Sequence, residues 1–350
     1  MKQNPLSADL QHILDHTRDL WEELRGEHIF ITGGTGFFGF WLVESFLFAN
    51  KHLRLNASAT ILTRNPDSAK QRLPHLMTNP AITLHKGDAR DFEFPNGEYS
   101  HVIHAATETN PQFDAIDPQL RFTSNVDGTL RVLDFAHVSG ARRLLFTSSG
   151  AVYGNQPSDL THIPESYAGA PETTDLNSAY GQSKRASEFL CASYANKHGF
   201  QSIIARCFAF VGPQLPLNAN YAIGNFIRDA MTGKTIQITG DGTPYRSYLY
   251  AADLAIWLWT ILFKGKSCRP YNVGSDEHLQ ISDLAQLVRE VVSPNVAVNV
   301  ARKSIAGKPA DRYVPSIDRC RNELGLQVWV PLSEVIRRTA GYYTSPILAE

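Results

Sequence analysis

The stretch IFITGGTGFFG at residues 29–39 decides the fold of this 350-residue chain. Its first four residues predict a short buried strand, and the glycine-rich run predicts a tight turn into a helix from about Phe38. The glycines are spaced G-x-x-G-x-x-G, at Gly33, Gly36 and Gly39. Glycine allows the turn, a close backbone approach to a pyrophosphate and close packing of the helix, whose N-terminus then faces the phosphates. The stretch therefore predicts a dinucleotide-binding loop.

The same strand–helix pattern continues along the chain. Short apolar runs alternate with helical patterns. The apolar runs are at 29–32, 59–63, 82–84, 102–105, 144–147 and 203–207. The helical patterns are at about 38–50, 118–138, 179–198 and 222–232. Near-continuous apolar strands separated by helices predict a parallel sheet covered on both faces, which is a doubly wound α/β fold.

Domain boundaries follow from where this regularity changes. Residues 8–25 have the apolar spacing of an amphipathic helix, so we expect residues 1–27 to form an N-terminal helical extension. Residues 28–206 are predicted to form a Rossmann dinucleotide-binding domain, with a return to it at about 248–275. Beyond residue 207 Pro and Gly become frequent. Residues 207–350 are therefore predicted to form mainly a smaller, substrate-binding lobe.

Composition excludes several classes of protein. The formal net charge of −1 offers no basic field for nucleic acid. The longest candidate apolar run, 256–263, is far shorter than the roughly 18 residues of a membrane span. The four cysteines stand far apart and have no metal-binding or redox spacing. We expect a cytoplasmic protein with no nucleic-acid partner, no membrane span and no metal.

The second and third strands bear on the choice of dinucleotide. A carboxylate at the end of the second strand would bind the ribose of NAD, but this strand ends in Arg64. Arg64 could stack on adenine or pair with the 2′-phosphate of NADP. The cofactor is thus predicted to be NAD or NADP, with Arg64 favouring NADP. Asp88, after the third strand, could accept a hydrogen bond from adenine.

Tyr180 and Lys184 lie four residues apart on a predicted helix and so share one face. A tyrosine keeps its proton up to about pH 10, and a nearby ammonium favours the phenolate. At roughly 4 Å and an effective dielectric near 20, the pair is worth about 4 kcal/mol before desolvation, or about three pKa units. The pair predicts a proton acceptor near pH 7, although solvated helices also show this spacing.

Further segments carry a family resemblance. They are HAA at 104–106, NVDGT at 125–129, SSGAVYG at 148–154, DGTPYRSYLYAADLA at 241–255 and YNVG at 271–274. Together with the glycine loop, these segments resemble the extended short-chain dehydrogenase/reductases, the NAD(P)-dependent nucleotide-sugar epimerase/dehydratase family, over about residues 28–340. A nucleotide-diphosphate sugar is the substrate that this resemblance implies.

The resemblance also implies residue roles. Tyr180 would be the catalytic base, Lys184 would hold the nicotinamide ribose and lower the Tyr180 pKa, and Ser149 would hydrogen-bond the reacting oxygen. Asn125 would brace the sheet. The predicted cofactor contacts are Gly33, Thr35, Gly36, Phe37, Phe38, Gly39, Arg64, Asp88, Ala89, Ala105, Ala106, Thr107, Asn125, Tyr180 and Lys184. The predicted substrate contacts are Thr109 with Glu108 beside it, Ser149, Asn225, Arg246 and Arg312.

Two departures from the family pattern bear on the reaction. Dehydratases of the family usually carry Asp-Glu at positions 150 and 151, and decarboxylases a Glu at 151, whereas this chain has Gly150 and Ala151. Tyr180 is then the one evident proton carrier, which favours a 4-epimerase that oxidises C4 transiently. A 4-keto-sugar reductase is the alternative, ahead of a 4,6-dehydratase or decarboxylase. Ala209 replaces a usual Asn, which leaves the sugar undetermined.

The resemblance finally implies a homodimer and a place in polysaccharide biosynthesis. Two helices of each subunit would form a four-helix contact. The helix at 179–198 offers Phe189, Leu190, Ala192 and Tyr194 for it.

Overall fold

A computed structural model describes residues 4–107, 117–219, 221–307 and 309–344. The strands are β1 (His28–Thr32), β2 (Ser58–Thr63), β3 (Ile82–Lys86), β4 (His101–His104), β5 (Arg143–Ser149), β6 (Gln201–Cys207), β7 (Phe210–Val211), β8 (Ile236–Ile238), β9 (Tyr245–Ser247), β10 (Leu249–Tyr250), β11 (Pro270–Val273), β12 (His278–Gln280), β13 (Val298–Val300) and β14 (Arg312–Tyr313). The α-helices are α1 (Ser7–Thr17), α2 (Phe37–Leu53), α3 (Pro66–Arg72), α4 (Pro74–Met77), α5 (Pro118–Val138), α6 (Ala179–His198), α7 (Ala222–Met231), α8 (Ala251–Lys264), α9 (Ile281–Val292), α10 (Asp318–Leu324) and α11 (Leu332–Thr344).

Seven parallel strands form the central sheet, in the order β11-β6-β5-β4-β1-β2-β3. Successive residues of β1 face opposite sides: Ile29 and Ile31 enter one apolar core with α2 and α8, whereas Phe30 enters the other with α5 and α6. This alternation explains why the strands are apolar throughout, since both faces of the sheet are covered. The predicted doubly wound α/β fold is confirmed.

Strand order reverses at β1, which lies between β4 and β2. In a doubly wound sheet the crevice beyond the carboxyl ends of the strands at this point is where ligands bind. The loop that follows β1, the segment 105–107 after β4 and the end of β5 all meet there. The sheet therefore brings together the predicted glycine loop, Ala105, Thr107 and Ser149.

The N-terminal segment packs on the helix layer of this sheet. Helix α1 contacts α8 and α2, and a 3-10 helix at Arg18–Leu24 follows it. The fully buried ring of Trp21 lies against that of Trp259, with 4.7 Å between centroids. Asp9 accepts hydrogen bonds from the hydroxyl of Tyr250 at 2.7 Å and from Arg338 at 2.6 Å. These hydrogen bonds tie helix α1 to β10 and α11.

The later part of the chain forms small sheets beside the crevice. Strand β9 pairs antiparallel with β12 and parallel with β14. Two further parallel pairs are β7 with β10 and β8 with β13. Strand β11, within the segment predicted to return at about 248–275, is an edge strand of the central sheet. The boundaries predicted at residues 27 and 206 stay predictions.

Candidate active site

The glycine loop fits closely between β4 and α2. Gly33 has φ +71°, and a Cβ there would lie 2.6 Å from the backbone of Ala105 and Ala106. A Cβ on Gly39 would lie 2.2 Å from the carbonyl oxygen of Gly33. Gly36 precedes α2 and has no side chain to cap the helix, so no side chain occupies the N-terminus. This arrangement leaves backbone N–H groups of the helix N-terminus for an anion, as a pyrophosphate-binding loop requires.

At the ends of β2 and β3, Asp88 is paired with a neighbouring arginine. The carboxylate of Asp88 accepts from the guanidinium of Arg90 at 2.8 and 3.1 Å and also from the Arg90 backbone N–H. These bonds to Arg90, and more weakly the charge of Arg64, lower the pKa of Asp88. Asp88 is thus already paired, and an adenine amino group would compete with Arg90 for its carboxylate. Sequence reasoning did not single out Arg90. Arg64 lies near Asp88, and its preference for NADP stays a prediction.

Lys184 lies one helical turn after Tyr180 on α6 and is almost fully buried. Its Nζ donates to the hydroxyl of Thr107 and to the carbonyl oxygen of Thr147, both at 2.8 Å. Burial lowers the pKa of this amine to about 8. The ammonium lies 5.9 Å from the centroid of the Tyr180 ring. Lys184 is therefore held by the ends of the central strands, on the cofactor side predicted for it.

The pKa of Tyr180 differs from the expectation based on spacing alone. Burial raises it to about 12, and hydrogen bonding to Ser149 and the positive charge of Arg121 offset part of that rise. Desolvation of the buried hydroxyl acts in the opposite direction to the charge of Lys184, and it is the largest influence on the pKa of Tyr180. Without further positive charge, Tyr180 is an acid rather than a base near neutral pH.

Ser149 ends β5 beside a second tyrosine. Its hydroxyl oxygen accepts from the backbone N–H of Ala151 at 3.1 Å. Burial raises the pKa of Tyr313 above its usual range, and hydrogen bonding to Ser149 opposes that rise. Strand β14 therefore delivers a second buried hydroxyl to Ser149, and the expectation that Tyr180 is the one proton carrier stays a prediction. Sequence reasoning had singled out Arg312 and passed over its neighbour.

A side chain at position 150 would require Phe208 and Tyr313 to move. A Cβ on Gly150 would lie 2.7 Å from the ring of Phe208 and 2.8 Å from the Tyr313 hydroxyl. These two rings pack against each other at a tilt, with 4.7 Å between their centroids. The place where dehydratases of the family carry an acid is therefore filled by two aromatic side chains from β14 and the loop after β6.

Asn125 braces a helix rather than the sheet. Its Nδ2 donates to the hydroxyl of Ser183 at 3.0 Å, and Ser183 immediately precedes Lys184. One turn later, the Thr129 hydroxyl contacts Ser187 at 3.0 Å. Asn125 thereby fixes α5 against α6 and supports the position of Lys184.

The predicted substrate contacts are only partly brought together. Arg246 on β9 is the direct partner of Tyr313 in the register with β14, and Arg312 packs its guanidinium over the Tyr245 ring at 4.2 Å. Both arginines therefore lie on the strand pair that also delivers Tyr313. The side-chain oxygen of Asn225 accepts from Arg228 at 2.9 Å. Thr109 and Glu108 lie outside the described residues.

Residues 4–107, 117–219, 221–307 and 309–344 contain no group of three or more His, Cys, Asp or Glu that could hold a metal ion. Within those ranges no helix is long and apolar enough to cross a membrane.

Fold and site together define a dinucleotide-binding α/β enzyme with a tyrosine, a lysine and a serine at the switch point of its sheet. The sequence model of the NAD dependent epimerase/dehydratase family matches residues 29–274. UDP-glucuronic acid decarboxylase 6 of Arabidopsis thaliana is 30% identical over 309 residues, which cover 87% of this chain and 85% of the relative.

Two solved structures share the fold. UDP-glucose 4-epimerase of Thermotoga maritima has a TM-score of 0.74 at 19% identity and covers 90% of this chain and 98% of its own. UDP-glucuronic acid 4-epimerase of Bacillus cereus, in complex with UDP-glucuronic acid and NAD, has a TM-score of 0.75 at 21% identity, with the same coverage. The chain belongs to the NAD dependent epimerase/dehydratase family. It is an enzyme whose cofactor is a nicotinamide dinucleotide.

Proposed function

We propose that this enzyme is a nucleotide-sugar 4-epimerase that oxidises the sugar transiently at C4, with Tyr180 as the base. The main support is position 150, where a glycine that carries no acid packs against the Phe208 ring and the Tyr313 hydroxyl. Epimerisation requires one proton acceptor that later returns the proton, and no acid for elimination. UDP-sugar epimerases of the same fold add support.

The residues present fit a nicotinamide dinucleotide. Gly33, Gly36 and Gly39 form the close-packed loop before α2, where the pyrophosphate would lie. Lys184 and Thr107 would hold the nicotinamide ribose, because both lie beyond the ends of β4 and β5. The bound cofactor supplies a reversible hydride acceptor and a positive charge in the oxidised state.

Proton movement then follows from the side chains. The Tyr180 phenolate takes the proton of the C4 hydroxyl as the C4 hydrogen leaves with its electron pair, which produces a 4-keto sugar. Ser149 donates a hydrogen bond to the reacting oxygen. After the keto sugar turns over in the site, hydride returns to the other face of C4 and Tyr180 returns the proton. Arg246 and Arg312 would hold the diphosphate, since guanidinium groups bind phosphate oxygens in pairs.

Decarboxylation is the second candidate, because the relative at 30% identity is a UDP-glucuronic acid decarboxylase. Oxidation at C4 of a glucuronic acid places a ketone β to the C5 carboxylate, so the C5–carboxylate bond can break with release of CO2. The resulting enolate needs a proton at C5. Ala151 cannot supply it, but the buried hydroxyl of Tyr313 beside Ser149 is a donor of the kind required.

UDP-glucuronic acid separates the candidates in one experiment. The enzyme is incubated with this sugar and NAD, and products are identified by proton NMR. UDP-galacturonic acid with no gas indicates the epimerase, whereas UDP-xylose with an equal amount of CO2 indicates the decarboxylase. The same assay over UDP-, GDP-, dTDP- and CDP-sugars identifies the nucleotide. Stoichiometric consumption of NADPH by a 4-keto sugar would establish the reductase instead.

Tyr180→Phe tests the catalytic assignment. General acid–base groups typically contribute about 10²–10⁴-fold to turnover, so we expect a loss in that range with unchanged melting temperature. Tyr194→Phe is the matched control on the same helix, because its hydroxyl binds Asp134 near the surface. Unchanged turnover in Tyr180→Phe would exclude Tyr180 as the base.

A further inference from the structure

A buried arginine lies over the face of Tyr180. Arg121 belongs to α5 and is 8% exposed, and its guanidinium carbon lies 4.7 Å from the centroid of the Tyr180 ring. The Nζ of Lys184 is farther away, at 5.9 Å, and donates to Thr107 and Thr147. Arg121 is therefore the nearer of these two cations to the ring.

Stacking of a cation on this ring has a chemical consequence. A neutral phenol attracts a cation through its π face, but a phenolate carries a full negative charge that is partly delocalised over the ring. The attraction is therefore stronger after the proton has left, and it is strengthened further where water is excluded. An arginine also keeps its charge at every relevant pH. By contrast, burial lowers the pKa of Lys184 to about 8, so its charge is partly lost just above neutrality.

Other groups around Tyr180 come from several elements. Facing it are Ser149 from β5, Cys207 from β6, Tyr221 just before α7, Tyr313 from β14 and Lys184 from its own helix. Cys207 and Tyr221 raise the pKa of Tyr180, whereas the Arg121 charge lowers it. Burial raises the pKa of Cys207 to about 12, so this thiol stays neutral.

We propose that Arg121 is a positioning residue that holds the ring of Tyr180 and stabilises its phenolate by stacking on it. This role rests on the proposed use of Tyr180 as the base. The spacing Tyr-x-x-x-Lys attributes the stabilisation of the phenolate to Lys184. The proposal assigns part of that electrostatic stabilisation to Arg121 on α5. Arg121 itself touches the base and exchanges no proton.

Ionisation of Tyr180 can be measured without turnover. The protein is saturated with NAD, its tyrosines carry ¹³C at Cζ, and Tyr180→Phe identifies the resonance. We expect Arg121→Met to raise the midpoint of the pH titration of this resonance by about one pKa unit or more, because a buried positive charge near the ring is removed. Arg121→Lys keeps a charge and should restore much of the shift.

Arg131→Met is the matched control. Arg131 lies on the same helix, stacks on the Phe94 ring at 4.0 Å and donates to the Phe92 carbonyl oxygen, away from Tyr180. It should leave the Tyr180 midpoint unchanged. An unchanged midpoint in folded Arg121→Met, or an equal shift in Arg131→Met, would overturn the proposal. If Arg121→Met does not fold, Arg121→Lys and Arg121→Gln are compared in its place.

This titration is independent of the substrate. A protein inactive on every sugar would refute the proposed function and leave the Tyr180 midpoints measurable. Where turnover is observed, the acid limb of its pH profile should move to higher pH in Arg121→Met, because a base with a raised pKa is protonated over a wider range.

Discussion

At the scale of single residues, burial decides the charge states at this site. Tyr180, Lys184 and Tyr313 all favour their neutral forms more than the same groups in water, because desolvation penalises whichever form is charged. Positive charge from Arg121 and from the oxidised cofactor is therefore what could make Tyr180 a base. Burial alone favours the protonated tyrosine.

Lys184 should make stability depend on pH in a defined direction. Its folded pKa, about 8, lies below the ordinary lysine value of 10.5, so the unfolded chain binds more protons between these values. Stability from this group therefore rises with pH over that window. Between pH 8 and 9, the free energy of unfolding of the wild type should rise by about 1 kcal/mol relative to that of Lys184→Met. Urea unfolding without cofactor measures this difference. A constant difference between the two proteins would contradict the burial of a titrating amine.

Sequence reasoning identified residues in contiguous motifs and missed those outside them. The glycine loop, Ser149 and the Tyr180–Lys184 spacing each lie within a short segment, and the sheet brings all three together. Arg121 and Tyr313 also lie at this site, although Arg121 precedes Tyr180 by 59 residues and Tyr313 follows it by 133 residues. Their roles depend on how α5 and β14 pack, which the spacing of residues along one helix does not indicate.

At the scale of elements, regular segments were predicted well and their contacts less well. The helices predicted at 118–138 and 179–198 occur at Pro118–Val138 and Ala179–His198. The pattern at 8–25 instead divides into α1 and a 3-10 helix at Arg18–Leu24. Side chains such as Trp21 pack against α8 there, and tertiary packing of this kind overrides helical periodicity.

Helix α1 should contribute measurably to stability through Asp9. This carboxylate is 6% exposed and joins Tyr250 of β10 to Arg338 of α11. Asp9→Asn removes the charged partner of Arg338 and should lower the free energy of unfolding by about 2 kcal/mol. The loss is smaller than for a fully buried ion pair because Arg338 is partly exposed. Chemical denaturation provides the measurement. Asp15→Asn, at an exposed position of the same helix, should change stability little, and an equal loss there would argue against the specific role.

At the scale of the whole molecule, each of the two neighbouring helices α5 and α6 exposes a large apolar side chain. Phe189 on α6 is 71% exposed, and Val138 at the end of α5 is 63% exposed. Exposed large apolar residues on two neighbouring helices are typical of a contact surface. The predicted homodimer through these helices remains a prediction, and this exposure is the observation that motivates it.

Phe189→Glu tests the dimer by light scattering coupled to size exclusion. A buried charge at a symmetric contact appears twice, so we expect the wild-type dimer to become a monomer at micromolar concentration. Ile305→Glu is the control, because Ile305 is 67% exposed in the later part of the chain, outside α5 and α6. A wild-type monomer, or an intact dimer in Phe189→Glu, would rule out this contact.

The crowding above Gly150 restricts how this protein could change its reaction over evolutionary time. An acid introduced there alone would collide with Phe208 and Tyr313, so that single mutation would damage the site before it offered any new chemistry. A movement or replacement of Phe208 or Tyr313 would make such a mutation easier to accept. The route from this site to an eliminating one is therefore epistatic, since the order of substitutions matters and the first steps bring no catalytic benefit.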